Sequence, residues 1–224
     1  MTEPMDTRTL RFLVIGVVIA LVIGAKVTSS RGSGDAVEGG LQHELTPPVR
    51  AAGLTFAPDV APADQQWVLA AIAGVRPEAK TLIDAVDGLV TISTPNQPGA
   101  PWEGLAQEGT DDIQFNIAYL DGLRKQDRTT AVIHELGHII DFELIPDDQM
   151  QQMASEVPTS GGACLTQESG DCTAPEERFA ETFAKWALRG SVSSVAGYGV
   201  MAPGSLESWG EPLGLLAAKL TVNG

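Results

Sequence analysis

Thr129-Thr130-Ala131-Val132-Ile133-His134-Glu135-Leu136-Gly137-His138-Ile139-Ile140-Asp141-Phe142 is the stretch from which the fold of this chain is read. At about 100° per residue, Val132, Ile133, Leu136, Ile139 and Ile140 share one arc, so the stretch reads as an amphipathic helix. Asp127 is its expected N-cap, and Pro146 stops the chain soon afterwards. His134 and His138 lie roughly opposite the apolar arc, together with Asp141. One helical turn separates the two imidazoles, which therefore point the same way. That spacing lets a single helix offer two nitrogen ligands to a zinc ion, with Glu135 beside the metal where it can act on a water. The aliphatic side is expected in a core and the histidines in a cleft.

A third protein ligand is needed, and the only other histidine is His43. It falls in Thr28–Thr46, rich in Gly and Ser, and reads as a solvated tether residue. A histidine six residues beyond the motif is excluded by Leu144, and Asp141 stands where that pattern requires glycine. Carboxylates remain. The best candidates lie on Ala174–Gly190, where Pro175 suits a first helical turn and Gly190 a C-terminal cap. Phe179, Ala180, Phe183, Ala184, Trp186, Ala187 and Leu188 form a broad apolar arc, and Arg178, Thr182, Lys185 and Arg189 the polar face. Glu177 and Glu181 fall on the edge of the apolar arc. A carboxylate near a core needs a cation or a donor. Either a metal supplies it, or the pair reaches solvent or pairs with Arg178 and Lys185.

An HExxH helix followed by Glu177-Arg178-Phe179-Ala180-Glu181-Thr182-Phe183 resembles the gluzincin metallopeptidases, most closely the anthrax lethal factor catalytic-domain-like family, whose ligand helix carries E-x-F-A-E-x-F. The resemblance covers about residues 60–190 and rests on the two helices. It implies a zincin-like metallopeptidase domain in which Glu177 is the third zinc ligand and Glu181 a carboxylate that orients a ligating histidine. Glu176 then sits in the first turn, favoured by the helix dipole. Asp141 is expected near the ligands. That family has a tyrosine shortly before the ligand helix. Here Gly161–Thr173 contains none, and the chain has only Tyr119 and Tyr198, so an oxyanion donor is sought in Tyr198 or Tyr119.

The 224 residues, 43% hydrophobic, suffice for one domain with a core. A net charge of −15 argues against nucleic acid and anionic membrane surfaces as partners. Phe12–Ala25 is an uninterrupted apolar run flanked by Arg8, Arg11 and Lys26, a signal-peptide core or an uncleaved signal anchor. Both readings export the rest of the chain, as an anchored or a secreted protein, and membrane contact is expected through this segment alone. Export accords with a disulfide between Cys164 and Cys172, tightening the connection into the Glu177 helix; two buried thiols are the alternative.

The expected organisation is a signal segment (1–27), a linker (28–47) and a metallopeptidase domain (48–224), the last α+β, mostly helical with a small sheet. Pro62–Ala73 and Pro77–Val86 read as short helices, Leu89–Ser93 as a strand, and Thr94–Thr110 as a loop in which Trp102 pins the chain to the core or meets substrate. Asp112–Leu120 alternates and reads as a strand, with Ile113, Phe115, Ile117 and Tyr119 on one face. By resemblance, this strand or Leu89–Ser93 is the edge that pairs with an extended substrate. Leu213–Leu220 reads as a closing helix. The expected function is zinc-dependent hydrolysis of a peptide or protein substrate, with Glu135 as general base. The alternatives are a catalytically inactive extracytoplasmic zinc-containing binding module, and an exported structural protein with a fortuitous motif. Nothing in the sequence sets the oligomeric state.

Overall fold

The computed structural model describes residues 53–100, 102–122, 125–158, 174–192 and 200–223, all within the unit Leu45–Gly224. The chain enters through β1 (Thr55–Phe56) and continues into α1 (Pro62–Ala73) and α2 (Pro77–Val86). Each helix opens on its proline, whose fixed φ suits the first turn and whose missing N–H would have had no helical partner. Then come β2 (Thr91–Ser93), β3 (Gly104–Gln107), β4 (Asp112–Phe115) and the single turn α3 (Ile117–Leu120). The long helix α4 (Lys125–Leu144) carries the HExxH motif, and α5 (Asp147–Ser155) comes after Pro146. The last three helices are α6 (Pro175–Ala187), α7 (Leu206–Trp209) and α8 (Glu211–Asn223). The architecture is α+β, as expected.

The sheet runs in the order β1-β2-β4-β3. Its first three strands are parallel, and β3 adds to β4 antiparallel, with Gly104 opposite Phe115 and Gln107 opposite Asp112. The parallel pair β1 and β2 needs a crossover, which α1 and α2 provide. Between β3 and β4 the chain reverses through Gly109 and Asp111, at φ 83° and 54°.

Two expectations fail against this topology. Thr94–Thr110 is not wholly loop, since it contains β3. Asp112–Leu120 is not one strand: it ends at Phe115 and turns into α3. Asn116 stops it. Its buried side chain accepts a hydrogen bond from the Gln97 amide at 3.0 Å and donates to the Gln97 and Ala100 carbonyls, each at 3.2 Å, which turns the backbone out of the ladder. Both strands nominated for substrate pairing are therefore interior, and β3 is the edge on the side of β4. Asp127, expected as an N-cap, lies inside α4, which begins at Lys125.

One face of the sheet, with Phe56, Ile92, Ile113 and Phe115 buried, packs under the helices; Trp67 of α1 meets Phe115 edge-on, ring centroids 5.4 Å apart. The contact on which the site depends is between α4 and α6. A Cβ at Gly137 would lie 3.1 Å from the Ala180 Cα and 3.2 Å from both the Ala180 carbonyl oxygen and Phe183 Cδ1. Behind α6, Phe179 leans on Trp209, whose indole N–H donates to the Met153 carbonyl at 3.0 Å. The C-cap of α6 is Leu188, two residues before the Gly190 expected there; Arg189 (φ 54°) and Gly190 (φ 79°) make the left-handed turn that follows, and the Gly190 N–H donates to the Lys185 carbonyl at 2.8 Å.

Among the described residues no helix is long and apolar enough to cross a membrane. The segments 1–27 and 28–47, His43, Tyr198 and the Cys164–Cys172 pair lie outside the described residues. Gly137→Val should force α4 and α6 apart and lower the unfolding free energy by about 1–3 kcal/mol, read from urea denaturation.

Candidate metal centre

His134 and His138 stand where the helical period puts them, on successive turns of α4, but on a face that is covered rather than solvated. The two residues are 1% and 8% exposed. Their rings are nearly perpendicular, 80° between planes, and the Nε2 atoms converge to 3.2 Å. Phe142, one turn beyond His138, stacks on its ring with 22° between planes and limits its rotation.

Glu177 completes the group from α6. It presents Oε2 to His134 Nε2 at 3.3 Å and Oε1 to His138 Nε2 at 3.7 Å. A four-coordinate cation with ligand bonds of about 2.0–2.2 Å holds its donor atoms about 3.3–3.6 Å apart. With one atom taken from each side chain the three candidate ligands lie within 4.8 Å of one another, close enough to share one cation, and the two short glutamate contacts are made by different oxygens. The Glu177 side chain is 25% exposed, so the group opens to solvent on that side.

Glu181, one turn further along α6, is fully buried and places Oε2 3.4 Å from Nδ1 of His134. Both nitrogens of His134 thus face carboxylates of one helix. Oε1 of Glu181 accepts from Lys185 Nζ at 2.7 Å. Oε1 thus makes the ion pair with Lys185 that the sequence allowed, and Oε2 lies 3.4 Å from Nδ1 of His134, a close approach rather than a hydrogen bond. Asp141 is buried one turn beyond His138, and Glu176 lies in the first turn of α6 as expected. Tyr119 is half-buried on α3, and Trp102 is half-buried next to Glu103.

Glu135 is 3% exposed and lies against β3. A Cβ at Gly104 would sit 2.5 Å from Glu135 Oε1 and 2.7 Å from its Cγ, so only glycine leaves room for this side chain. Burial, with the charges of Glu177 and Glu103, pushes the Glu135 carboxyl up to about 8, against the opposing pull of His134 and of the Ala106 backbone N–H. Burial also works against a charged His134, but Glu177, Glu181 and Glu135 outweigh it and hold that imidazole well above its ordinary value. His138 is pushed down to about 4 by burial.

The donor set makes the chemical case for a cation. Glu103, Glu135 and Glu181, each at most 8% exposed, are buried carboxylates grouped around the His134, His138 and Glu177 side chains. Grouped carboxylates out of water are expensive unless positive charge joins them. Two imidazole nitrogens and a carboxylate form a donor set suited to a borderline transition metal. The residues present fit a metal ion.

Sequence reasoning placed His134, Glu135, His138, Glu177 and Glu181 and missed Glu103 and Gly104. Neither carries a periodic signal: Gly104 opens β3 and Glu103 directly precedes it, in a stretch that the sequence presents as loop. The chain matches no protein-family model, no curated protein and no solved structure.

A divalent cation held by this triad clamps α4 to α6. At a hundredfold excess over its Kd it should raise the unfolding free energy by about 2.7 kcal/mol, seen as a rise in Tm that EDTA reverses. In His138→Ala the rise should disappear.

Proposed function

We propose that this chain is a zinc-dependent metallopeptidase, with His134, His138 and Glu177 holding the metal and Glu135 as general base. The observation that carries the reading is the convergence of two imidazoles and a carboxylate, whose candidate ligand atoms lie within 4.8 Å of one another, with a separate buried carboxylate, Glu135, between them and the sheet edge. Zinc at such a site supplies a Lewis acid that lowers the pKa of a water toward neutrality and polarises a carbonyl.

The protein's own groups do the rest. Glu135 accepts the proton of the attacking water and returns it to the leaving amine. Gly104 keeps the carboxylate in place by leaving it space. The outer side of β3 offers backbone groups to an extended peptide, which would lie beside Glu135 as an added strand. The apolar run Phe12–Ala25 supports an extracytoplasmic location, membrane-anchored or secreted.

The test is metal analysis by mass spectrometry joined to a peptide-library assay. Wild type should carry one zinc per chain and cleave peptides. Glu177→Ala should lose the zinc. Glu135→Gln should keep it and lose about a hundredfold or more in rate. Gly104→Ala should keep the zinc and cleave more slowly. Equal loss of metal from the Glu135 and Glu177 variants would overturn the division of roles. Zinc without cleavage in wild type would favour a binding module.

A further inference from the structure

We propose that Lys185 is a positioning residue of the metal centre: its ammonium holds Glu181 at the geometry that orients His134 and keeps Glu181 itself out of the ligand set. This role rests on the proposed metal centre.

Lysine is rarely buried unless paired, yet Lys185 is 9% exposed, in a position the helical wheel assigns to the polar face. Its Nζ donates to Glu181 Oε1 and to the Val200 carbonyl, both at 2.7 Å. An ion pair buried within one helix is a weak source of stability, since the desolvation of two charges offsets most of their attraction. What the pair does achieve is geometric. Glu177, Glu181 and Lys185 occupy successive turns of α6 and form one stripe facing α4. Along that stripe, Glu177 meets Nε2 of His134 at 3.3 Å and Glu181 meets Nδ1 at 3.4 Å.

Two carboxylates on one stripe, beside two imidazoles, compete for the same cation. Lys185 decides between them. By taking Oε1 of Glu181 it leaves that carboxylate a single oxygen for the histidine, directed at Nδ1 rather than Nε2. The His134 ring then presents Nε2 to the triad with its plane fixed from behind. The Val200 carbonyl is the second anchor, without which a flexible four-carbon stem would not hold one position.

The experiment is a double-variant cycle on the full chain, reading zinc affinity by chelator competition and the visible spectrum of the cobalt-substituted protein. Lys185→Met should weaken zinc binding about 10–100-fold and alter the cobalt spectrum. In a Glu181→Gln background, the same change should cost no more than about twofold, because the group it acts through has gone. Should circular dichroism show Lys185→Met unfolded, Lys185→Gln, which keeps a donor and most of the volume, replaces it in the cycle. An equal loss in both backgrounds, or none in either, would overturn the inference while wild type still binds zinc. A folded wild type that binds no zinc would overturn the metal centre and this inference with it.

Discussion

The site depends on how closely two helices approach. Three candidate ligand atoms within 4.8 Å of one another, two on α4 and one on α6, require the helix axes to be near at the motif itself. Gly137, between the two histidines, supplies that approach by packing its bare Cα side on Ala180, which lies between Glu177 and Glu181. Each helix thus puts a small residue at the crossing, with one polar side chain three positions before it and another directly after: His134 and His138 about Gly137, Glu177 and Glu181 about Ala180. Phe179 and Phe183 flank the crossing and are fully buried, so the apolar packing on both sides holds the helices at this separation.

Packing alone does not explain why so many charges tolerate this place. Glu181 is at 0% exposure, Glu135 at 3% and Lys185 at 9%, all within a core otherwise built from aliphatic and aromatic side chains. For stability such a cluster is at best neutral. It accords with a site in which positive charge arrives with a ligand, so that part of the folding free energy is metal-binding free energy. Within the cluster Glu181 pairs with Lys185, and Lys185 also donates to the Val200 carbonyl.

The helices and the ligands were legible in the sequence because each carries a local signal. Pro62, Pro77 and Pro175 mark starts, Gly190 marks an end, and the 3.6-residue period assigns the buried arcs of α4 and α6. The histidine spacing then fixes what α4 offers, and the placement of Glu177 and Glu181 on the edge of an apolar arc marks both as needing partners. Lys185 reads from the sequence as a polar-face residue and a candidate partner of the carboxylates, and it pairs with Glu181; its second bond, to the Val200 carbonyl 15 residues later, is in no local pattern. Asp112–Leu120 misled because of such distant bonds. The alternation of Ile113, Phe115, Ile117 and Tyr119 is genuine, but Asn116 bonds to Gln97 and Ala100 across 19 and 16 residues and ends the strand.

The strand that went unread is informative in its own right. Gly-Leu-Ala-Gln is a poor strand sequence, with a glycine and no β-branched residue. Nothing in its propensity would make it pair with β4. Its composition is set instead by the groups behind it. Gly104 is small because Glu135 occupies the space a side chain would fill, and Ala106 packs on the core while its N–H acts on the same carboxylate. Local propensity gives way where a site imposes its own geometry. A β-branched residue at Gly104 would read as a better strand and would displace the group proposed to carry the proton. The edge is therefore weak in sequence because it is shaped around Glu135.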